Sequence, residues 1–175
     1  VNGSGTLLTT EQCLLNTNRN PKLSKEEIEL CLKEYFNVSN ILWLKEGIIG
    51  DDTDGHIDDI ARFVSQNTVV CSFEEDKKDD NYSTLKENYE LLKAMRDENG
   101  KNIKVVKLPM PGFIADKEGK RLPASYANFY IGNEAIAVPV FGTENDSNAI
   151  EILKELFPTR KVVGINCKEM VYGLG

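Results

Sequence analysis

The chain has 175 residues, of which 41% are hydrophobic and 28% charged, and its formal net charge is −7. This length suffices for one domain with a sizeable core, and no apolar run reaches membrane-spanning length. The acidic balance argues against nonspecific binding to nucleic acids or anionic membranes, and it favours a cationic small molecule as partner. The widely spaced cysteines include no CxxC pair, so the sequence predicts reduced thiols in a cytoplasmic protein, with no metal and no cofactor. The four are Cys13, Cys31, Cys71 and Cys167.

The first predicted unit is a strand, a helix and a second strand. Residues 6–9 form the first strand, and residues 41–44 form the second. The helix begins at Ser24, because Ser24-Lys25-Glu26-Glu27 has the pattern of a capping box. Its predicted buried face follows helical spacing. That face comprises Ile28, Cys31, Leu32 and Tyr35.

The second predicted unit opens with a hairpin. Strands over residues 62–64 and 68–73 flank a short polar turn. A helix over residues 82–99 follows, ends at Gly100, and leads into a strand over residues 103–108. Its buried face is marked by Leu85, Tyr89 and Leu92.

The third predicted unit has the same order of elements. Strands are expected over residues 126–131 and 135–140, a helix over residues 146–157, and a last strand over residues 161–165. Pro158 ends the helix.

The order of elements predicts an α/β protein built from repeated ββαβ units, the first of them lacking one strand. The units cover approximately residues 1–45, 60–109 and 124–166 of a single partial domain, residues 1–175. Such repeats favour a propeller-like ring around a central site, and a doubly wound sheet is the alternative.

Five aspartates and the only histidine fall within the ten residues from Gly50 to Asp59. Such crowding of carboxylates is costly unless they face water, a cation or hydrogen-bond donors. His56, two residues before Asp58, places an acid/base group beside a permanent anion, which suits chemistry on a cationic substrate. The alternative is a solvated acidic turn, and the apolar segments on both sides argue against it.

Two general motifs do not fit this run. An EF-hand loop with Gly55 at its sixth position would need an acidic residue where Gly50 lies and a glutamate where Ala61 lies. An aspartyl-phosphate phosphatase would place its aspartate pair on the first strand of the sheet and follow it with threonine, whereas His56 follows here.

The run also carries a family resemblance. Two neighbouring segments resemble the central signature of the agmatine deiminases and bacterial-type peptidylarginine deiminases. The first is Trp43-Leu44-Lys45-Glu46-Gly47-Ile48, and the second is Asp51-Asp52-Thr53-Asp54-Gly55-His56-Ile57-Asp58. These deiminases are guanidine-modifying enzymes. Three further segments resemble the family in the same order, namely residues 5–16 with 18–21, residues 126–131 with 138–142, and residues 162–175.

The resemblance implies a five-bladed α/β propeller, or pentein, of which the chain would supply about three blades from the middle of the enzyme. It implies a cysteine nucleophile that attacks the guanidinium carbon. His56 would protonate the leaving amine and later activate water, and Asp58 would bind the guanidinium. Asp52 and Asp54 are weaker substrate-binding candidates that could instead hold the loop through backbone amides. Asp51 and Asp59 are expected to be solvated.

The resemblance places the nucleophile in a His-Cys sequence just beyond Gly175, and an acidic pair before Val1. Cys13, Cys31 and Cys71 are expected in the core, and Cys167 lies upstream of the nucleophile loop. The expected reaction is hydrolysis of agmatine to N-carbamoylputrescine and ammonia in putrescine biosynthesis, with residues 1–175 inactive alone. The alternatives are a peptidylarginine deiminase and a non-catalytic ring-shaped binding protein. Expected partners are agmatine and either further copies of the chain or missing segments of the same enzyme.

Overall fold

The computed structural model describes residues 1–173 and begins with a two-stranded parallel sheet. Strand β1 (Thr6–Thr10) pairs with β2 (Asn40–Leu44), with Thr6 opposite Asn40 and Thr10 opposite Leu44. Helices α1 (Glu11–Leu14) and α2 (Lys25–Phe36) connect the two strands. The predicted capping box is confirmed, because the Ser24 hydroxyl accepts from the Glu27 amide while the Glu27 carboxylate accepts from the Ser24 amide.

The second and third units each form a three-stranded sheet with one helix. In the second, β3 (Ala61–Ser65) pairs antiparallel with β4 (Thr68–Phe73), and β4 pairs parallel with β5 (Lys104–Pro109) after helix α3 (Tyr82–Ala94). The third repeats this order. It consists of β6 (Tyr130–Ile131), β7 (Ala135–Val140), α4 (Asp146–Leu156) and β8 (Lys161–Asn166). The order of elements predicted from the sequence is therefore confirmed.

Helix α3 ends five residues earlier than predicted. A tight turn replaces its last part, since the Asp97 carboxylate accepts hydrogen bonds from the amides of Asn99 and Lys101, both at 2.9 Å. Arg96 and Asn102 form an antiparallel bridge across this turn. Gly100 has φ +74°, a left-handed conformation that glycine adopts without strain, so it completes the turn and does not cap the helix.

The strand predicted over residues 126–131 is also wrong in its first four residues. Tyr126 is buried, and its hydroxyl donates to Asp146 Oδ1 at 2.6 Å, which draws the chain inward before β6 begins. Asn128 then directs its amide to Asp58 and Asp59. Residues 126–129 therefore make tertiary hydrogen bonds to the segment before β3 and to α4, and do not form a strand.

Two groups of buried apolar side chains form the core. One lies around the third sheet and includes Tyr126, Phe129 and Leu153, and the other lies around the second sheet and includes Leu44, Ile60 and Leu85. The predicted face of α3 is confirmed by the burial of Leu85 and Leu92, and Tyr89 is half-buried. Leu153 of α4 and Phe157, the residue after it, are also buried.

The predicted buried face of α2 is wrong for Cys31 and Tyr35, two of its four residues. Ile28 is buried, but Tyr35 is 82% exposed and Cys31 is exposed as well. Helix α2 contacts its sheet through Ile28 and through Glu29, which accepts a hydrogen bond from the Trp43 indole at 2.8 Å. Within residues 1–173 nothing packs over the side that carries Tyr35, so the helical spacing of apolar residues does not report burial here.

The fold is mixed α/β, as predicted. The structure shows three separate sheets, and the sheets of residues 1–173 do not close into a ring, so the five-bladed arrangement remains a prediction. None of the helices described combines the length and the apolar character needed to cross a lipid bilayer.

Candidate active site

The acidic loop is held against the ends of β1 and β2 by close backbone contacts. Gly55 has φ +72°, and a Cβ atom there would overlap the Gln12 carboxamide and approach the Gly47 nitrogen to 2.9 Å. A Cβ atom on Gly47 would likewise overlap Gly55. The Thr10 hydroxyl donates to the Gly55 carbonyl at 2.6 Å, and Gln12 Oε1 accepts from the Gly47 amide at 2.7 Å. The residue before His56 is therefore fixed by the first unit.

Asp51 gives the loop its internal structure. Its carboxylate accepts hydrogen bonds from the Thr53 amide at 2.8 Å, the Thr53 hydroxyl and the His56 amide at 2.7 Å. Burial alone would raise the pKa of Asp51, but these hydrogen bonds lower the pKa below its ordinary value. The expectation of a solvated Asp51 is therefore wrong, because Asp51 makes the backbone contacts expected of Asp52 and Asp54.

His56 lies between a cation and an anion. Its Nδ1 is 3.9 Å from Asp58 Oδ1, and its Nε2 is 2.6 Å from a terminal nitrogen of Arg19. The His56 and Asp58 side chains are 34% and 45% exposed, so both can be reached from solvent. The structure thus brings together the two residues singled out in the sequence, and their catalytic roles remain a prediction.

The adjacent residues Asp58 and Asp59 face different cavities. Asp58 lines a cavity of about 390 Å³ with Ile57 and Arg62, whereas Asp59 lines one of about 200 Å³ with Cys167. Asn128 joins the two carboxylates, donating to Asp58 Oδ2 at 3.0 Å and to Asp59 Oδ1 at 3.3 Å. The larger cavity is therefore the one from which a small molecule can reach Asp58.

Asp59 is buried, against expectation. Only 7% of it is exposed, and the hydroxyls of Ser72 and Ser125 donate to its backbone carbonyl at 3.0 and 2.7 Å. Burial raises its pKa to about 7, and the negative charges of Asp58 and Asp51 act in the same direction. The hydrogen bond from Asn128 opposes this rise in the pKa only in part.

Asp52 and Asp54 lie on the outer side of the loop. Asp52 forms an ion pair with Lys120 at 3.0 Å, and both side chains are more than half exposed. Asp54 has φ +70° and lies 4.0 Å from Arg19 Nε. Neither is shown to bind substrate, so that role remains a prediction for both. Among residues 1–173, no group of three or more histidine, cysteine, aspartate or glutamate side chains is arranged to hold a metal ion.

The four cysteines differ in environment, and none is paired with His56. Cys71 is fully buried, and burial raises its pKa to about 12. Burial also raises the pKa of the Cys13 thiol. The positive charge of Arg19 acts to lower this pKa, and the negative charges of three aspartates act to raise it further, namely Asp51, Asp54 and Asp58. Cys31 is exposed on α2, which corrects its expected place in the core. Cys167 is half-buried beside the Asp59 cavity.

Sequence reasoning missed Arg19, Thr10 and Gln12 as neighbours of the loop. All three lie in residues 5–21, a segment singled out only for its resemblance to the family. Their contacts join positions at least 34 residues apart, and no local pattern reports such a distance.

Comparison with known proteins gives one consistent result. The profile of the Porphyromonas-type peptidyl-arginine deiminases matches residues 1–175. A Latilactobacillus sakei protein, provisionally named an agmatine deiminase, is 45% identical over 192 residues, which cover all of this chain and 53% of that protein.

Two solved structures are similar along the whole chain. The agmatine deiminase of Enterococcus faecalis has 42% identity and a TM-score of 0.93, covering 99% of this chain and 52% of that one. A C. jejuni agmatine deiminase with substrate bound has 38% identity and a TM-score of 0.92, and the match covers 100% of this chain and 51% of that one. The chain spans about half the length of these relatives. It belongs to the Porphyromonas-type peptidyl-arginine deiminase family.

Proposed function

We propose that the chain forms part of a hydrolase that converts agmatine to N-carbamoylputrescine and ammonia. The observation that carries this proposal is the pairing of His56 with Asp58, 3.9 Å apart, with Asp58 at the edge of a cavity of about 390 Å³. The provisional names of the curated relatives and the substrate-bound C. jejuni structure support it.

Asp58 is the proposed guanidinium-binding residue. A carboxylate can accept two parallel N–H bonds from a planar guanidinium, and Asn128 fixes the orientation of this one through Oδ2. Asp52 and Asp54 contribute negative charge on the outer side of the loop, which attracts a cationic substrate over a distance longer than a hydrogen bond. Asp52 is 52% exposed and Asp54 is 30% exposed, and these positions suit attraction at a distance better than direct contact.

His56 is the proposed proton carrier. In the first step, a cysteine thiolate bonds to the guanidinium carbon, and one C–N bond breaks as His56 supplies a proton to the departing ammonia. In the second step, water gives a proton to His56 and bonds to the same carbon, the C–S bond breaks, and the ureido product leaves. The net change is guanidinium plus water to urea derivative plus ammonium.

The nucleophile is proposed to be a cysteine outside residues 1–175. Cys71 and Cys13 are buried, and burial raises the pKa of both thiols, which disfavours the reactive thiolate. Cys31 is exposed on α2, and Cys167 lines the Asp59 cavity and not the Asp58 cavity. Residues 1–175 alone are therefore expected to release no ammonia from agmatine.

The wider arrangement belongs to the same proposal. The three sheets would be three blades of a five-bladed ring, with approximate bounds 1–45, 60–109 and 124–166, and the Asp58 cavity would open toward its centre. The setting would be cytoplasmic polyamine synthesis. A peptidylarginine substrate is the second candidate, since the family profile carries that name and His56 and Asp58 address only the guanidinium group.

The test is ammonia release by the complete enzyme, with agmatine and a peptidylarginine supplied separately. His56→Ala should lower turnover by roughly 10²–10⁴-fold, and Asp58→Ala should also raise the KM for agmatine. Asp80→Ala is the control, because Asp80 is an exposed aspartate outside the acidic loop. Normal turnover by the His56 or Asp58 variant would contradict the proposal, and faster turnover of the peptide would reassign the substrate.

A further inference from the structure

The Arg19 guanidinium lies inside the candidate site. One terminal nitrogen donates to the Thr53 carbonyl at 2.8 Å and lies 2.6 Å from His56 Nε2. Its Nε is 4.0 Å from Asp54 Oδ2. A guanidinium of the chain itself thus contacts the residue proposed to carry protons for a substrate guanidinium.

The chemistry of the two side chains decides the direction of this contact. Arginine has five N–H donors and no acceptor, so His56 Nε2 must offer a lone pair. Neutral imidazole carries one proton, which is therefore on Nδ1, the nitrogen that faces Asp58 Oδ1. An imidazolium would place a second N–H against the guanidinium, so the observed contact belongs to neutral His56.

We propose that Arg19 is a positioning residue that caps His56 Nε2 and holds the imidazole in its neutral Nδ1–H tautomer. Thr53 anchors the guanidinium, and the Asp51 carboxylate anchors the His56 backbone amide, so both partners are fixed to the same loop. The N–H of His56 is thereby directed to the Asp58 side of the ring.

The consequence for turnover rests on the proposed function. While Arg19 is in place, the only lone pair of neutral His56 is occupied, so the imidazole can accept no proton at Nε2. Arg19 must leave Nε2 before His56 takes up a proton, and the Asp54 carboxylate is the anion nearest to receive it. Displacement of Arg19 from Nε2 is therefore required before His56 can take up the proton that it supplies in the first step of the proposed reaction.

The experiment is carried out on the complete enzyme, with the His56 signals identified by their loss in the His56→Gln variant. Long-range ¹H–¹⁵N correlation of the labelled imidazole, recorded at alkaline pH, then assigns its tautomer. Native protein should show a protonated Nδ1 and a non-protonated Nε2. Arg19→Ala should shift the equilibrium to the Nε2–H tautomer that free imidazole side chains favour in water. Lys22→Ala, which removes an exposed cation from the same segment, should leave it unchanged.

Two results would overturn the proposal. One is a predominantly protonated Nε2 in the native protein, a measurement that needs no variant. The other is an Nδ1–H tautomer that persists in Arg19→Ala with native amide dispersion. Because the spectrum does not depend on turnover, a failed activity assay and a failed tautomer assignment are separate outcomes.

Discussion

Replacement of Asp59 by asparagine should stabilise the protein at alkaline pH and change its stability by less than about 1 kcal/mol near pH 4. Asp59 is buried, and its pKa in the folded protein is raised from 3.8 to about 7. Below 3.8 the carboxyl is neutral in both the folded and unfolded chain, so it carries no cost. Between these values the unfolded chain ionises first, and the free energy of unfolding falls as pH rises.

The size of the effect follows from the shift in pKa. Each unit corresponds to about 1.4 kcal/mol, so the full cost of ionised Asp59 above pH 7 is about 4 kcal/mol. Asparagine cannot ionise, and its carboxamide oxygen can still accept the hydrogen bond from Asn128. Asp59→Asn should therefore recover up to about this amount near pH 8.

Urea unfolding near pH 4 and near pH 8 measures the difference directly. Asp52→Asn is the control, because Asp52 is exposed and pairs with exposed Lys120, so its replacement should change little at either pH. An equal effect of Asp59→Asn at both pH values would refute the burial argument. A loss of stability near pH 8 would show that the folded protein stabilises the Asp59 anion.

Two further changes test the packing around the site. Gly55→Ala should lower the free energy of unfolding in urea by about 2–3 kcal/mol, because the alanine would be strained in the left-handed conformation and would overlap its neighbours. Gly119→Ala is the control, because Gly119 has φ +83° and open space around it, and it should cost only about 1 kcal/mol. Equal costs for the two variants would contradict the overlap at Gly55. Arg121→Met should cost about 3 kcal/mol because it leaves Asp79 unpaired in a buried bidentate ion pair with bonds of 2.8 and 3.0 Å. Lys154→Ala removes an exposed ion pair and should cost at most about 0.5 kcal/mol; a similar loss in both variants would contradict the role of burial.

The sequence predicted elements well where local patterns decide the structure. Strand β7 has the predicted bounds and α4 ends one residue early, because alternating or helically spaced apolar residues lie between clear turn signals. The prediction was wrong where side chains form long-range hydrogen bonds. Residues 126–129 do not form a strand, because the side chains of Tyr126 and Asn128 form hydrogen bonds with residues of other elements.

The candidate site shows the same division. His56 and Asp58 could be singled out because one histidine stands among five aspartates. Which aspartate is buried could not be predicted, since Asp58 and Asp59 are chemically equal and only the path of the chain turns one inward. The contact of Arg19 with His56 joins positions 37 residues apart, and it depends on the loop geometry that Gly55 permits.

The contact between Gly47 and Gly55 has a consequence for how this protein can vary during evolution. Each glycine fills the space that a side chain on the other would need, and Gln12 closes the same space from a third direction. A larger residue at one of these positions would require a compensating change at another, so the three are expected to change together or not at all. Between the two glycines, Ile48 is buried in the core and Asp51 holds the loop, whereas Ile49 and Asp52 are exposed and free of that restraint. These two exposed positions can therefore vary while the position of His56 stays the same.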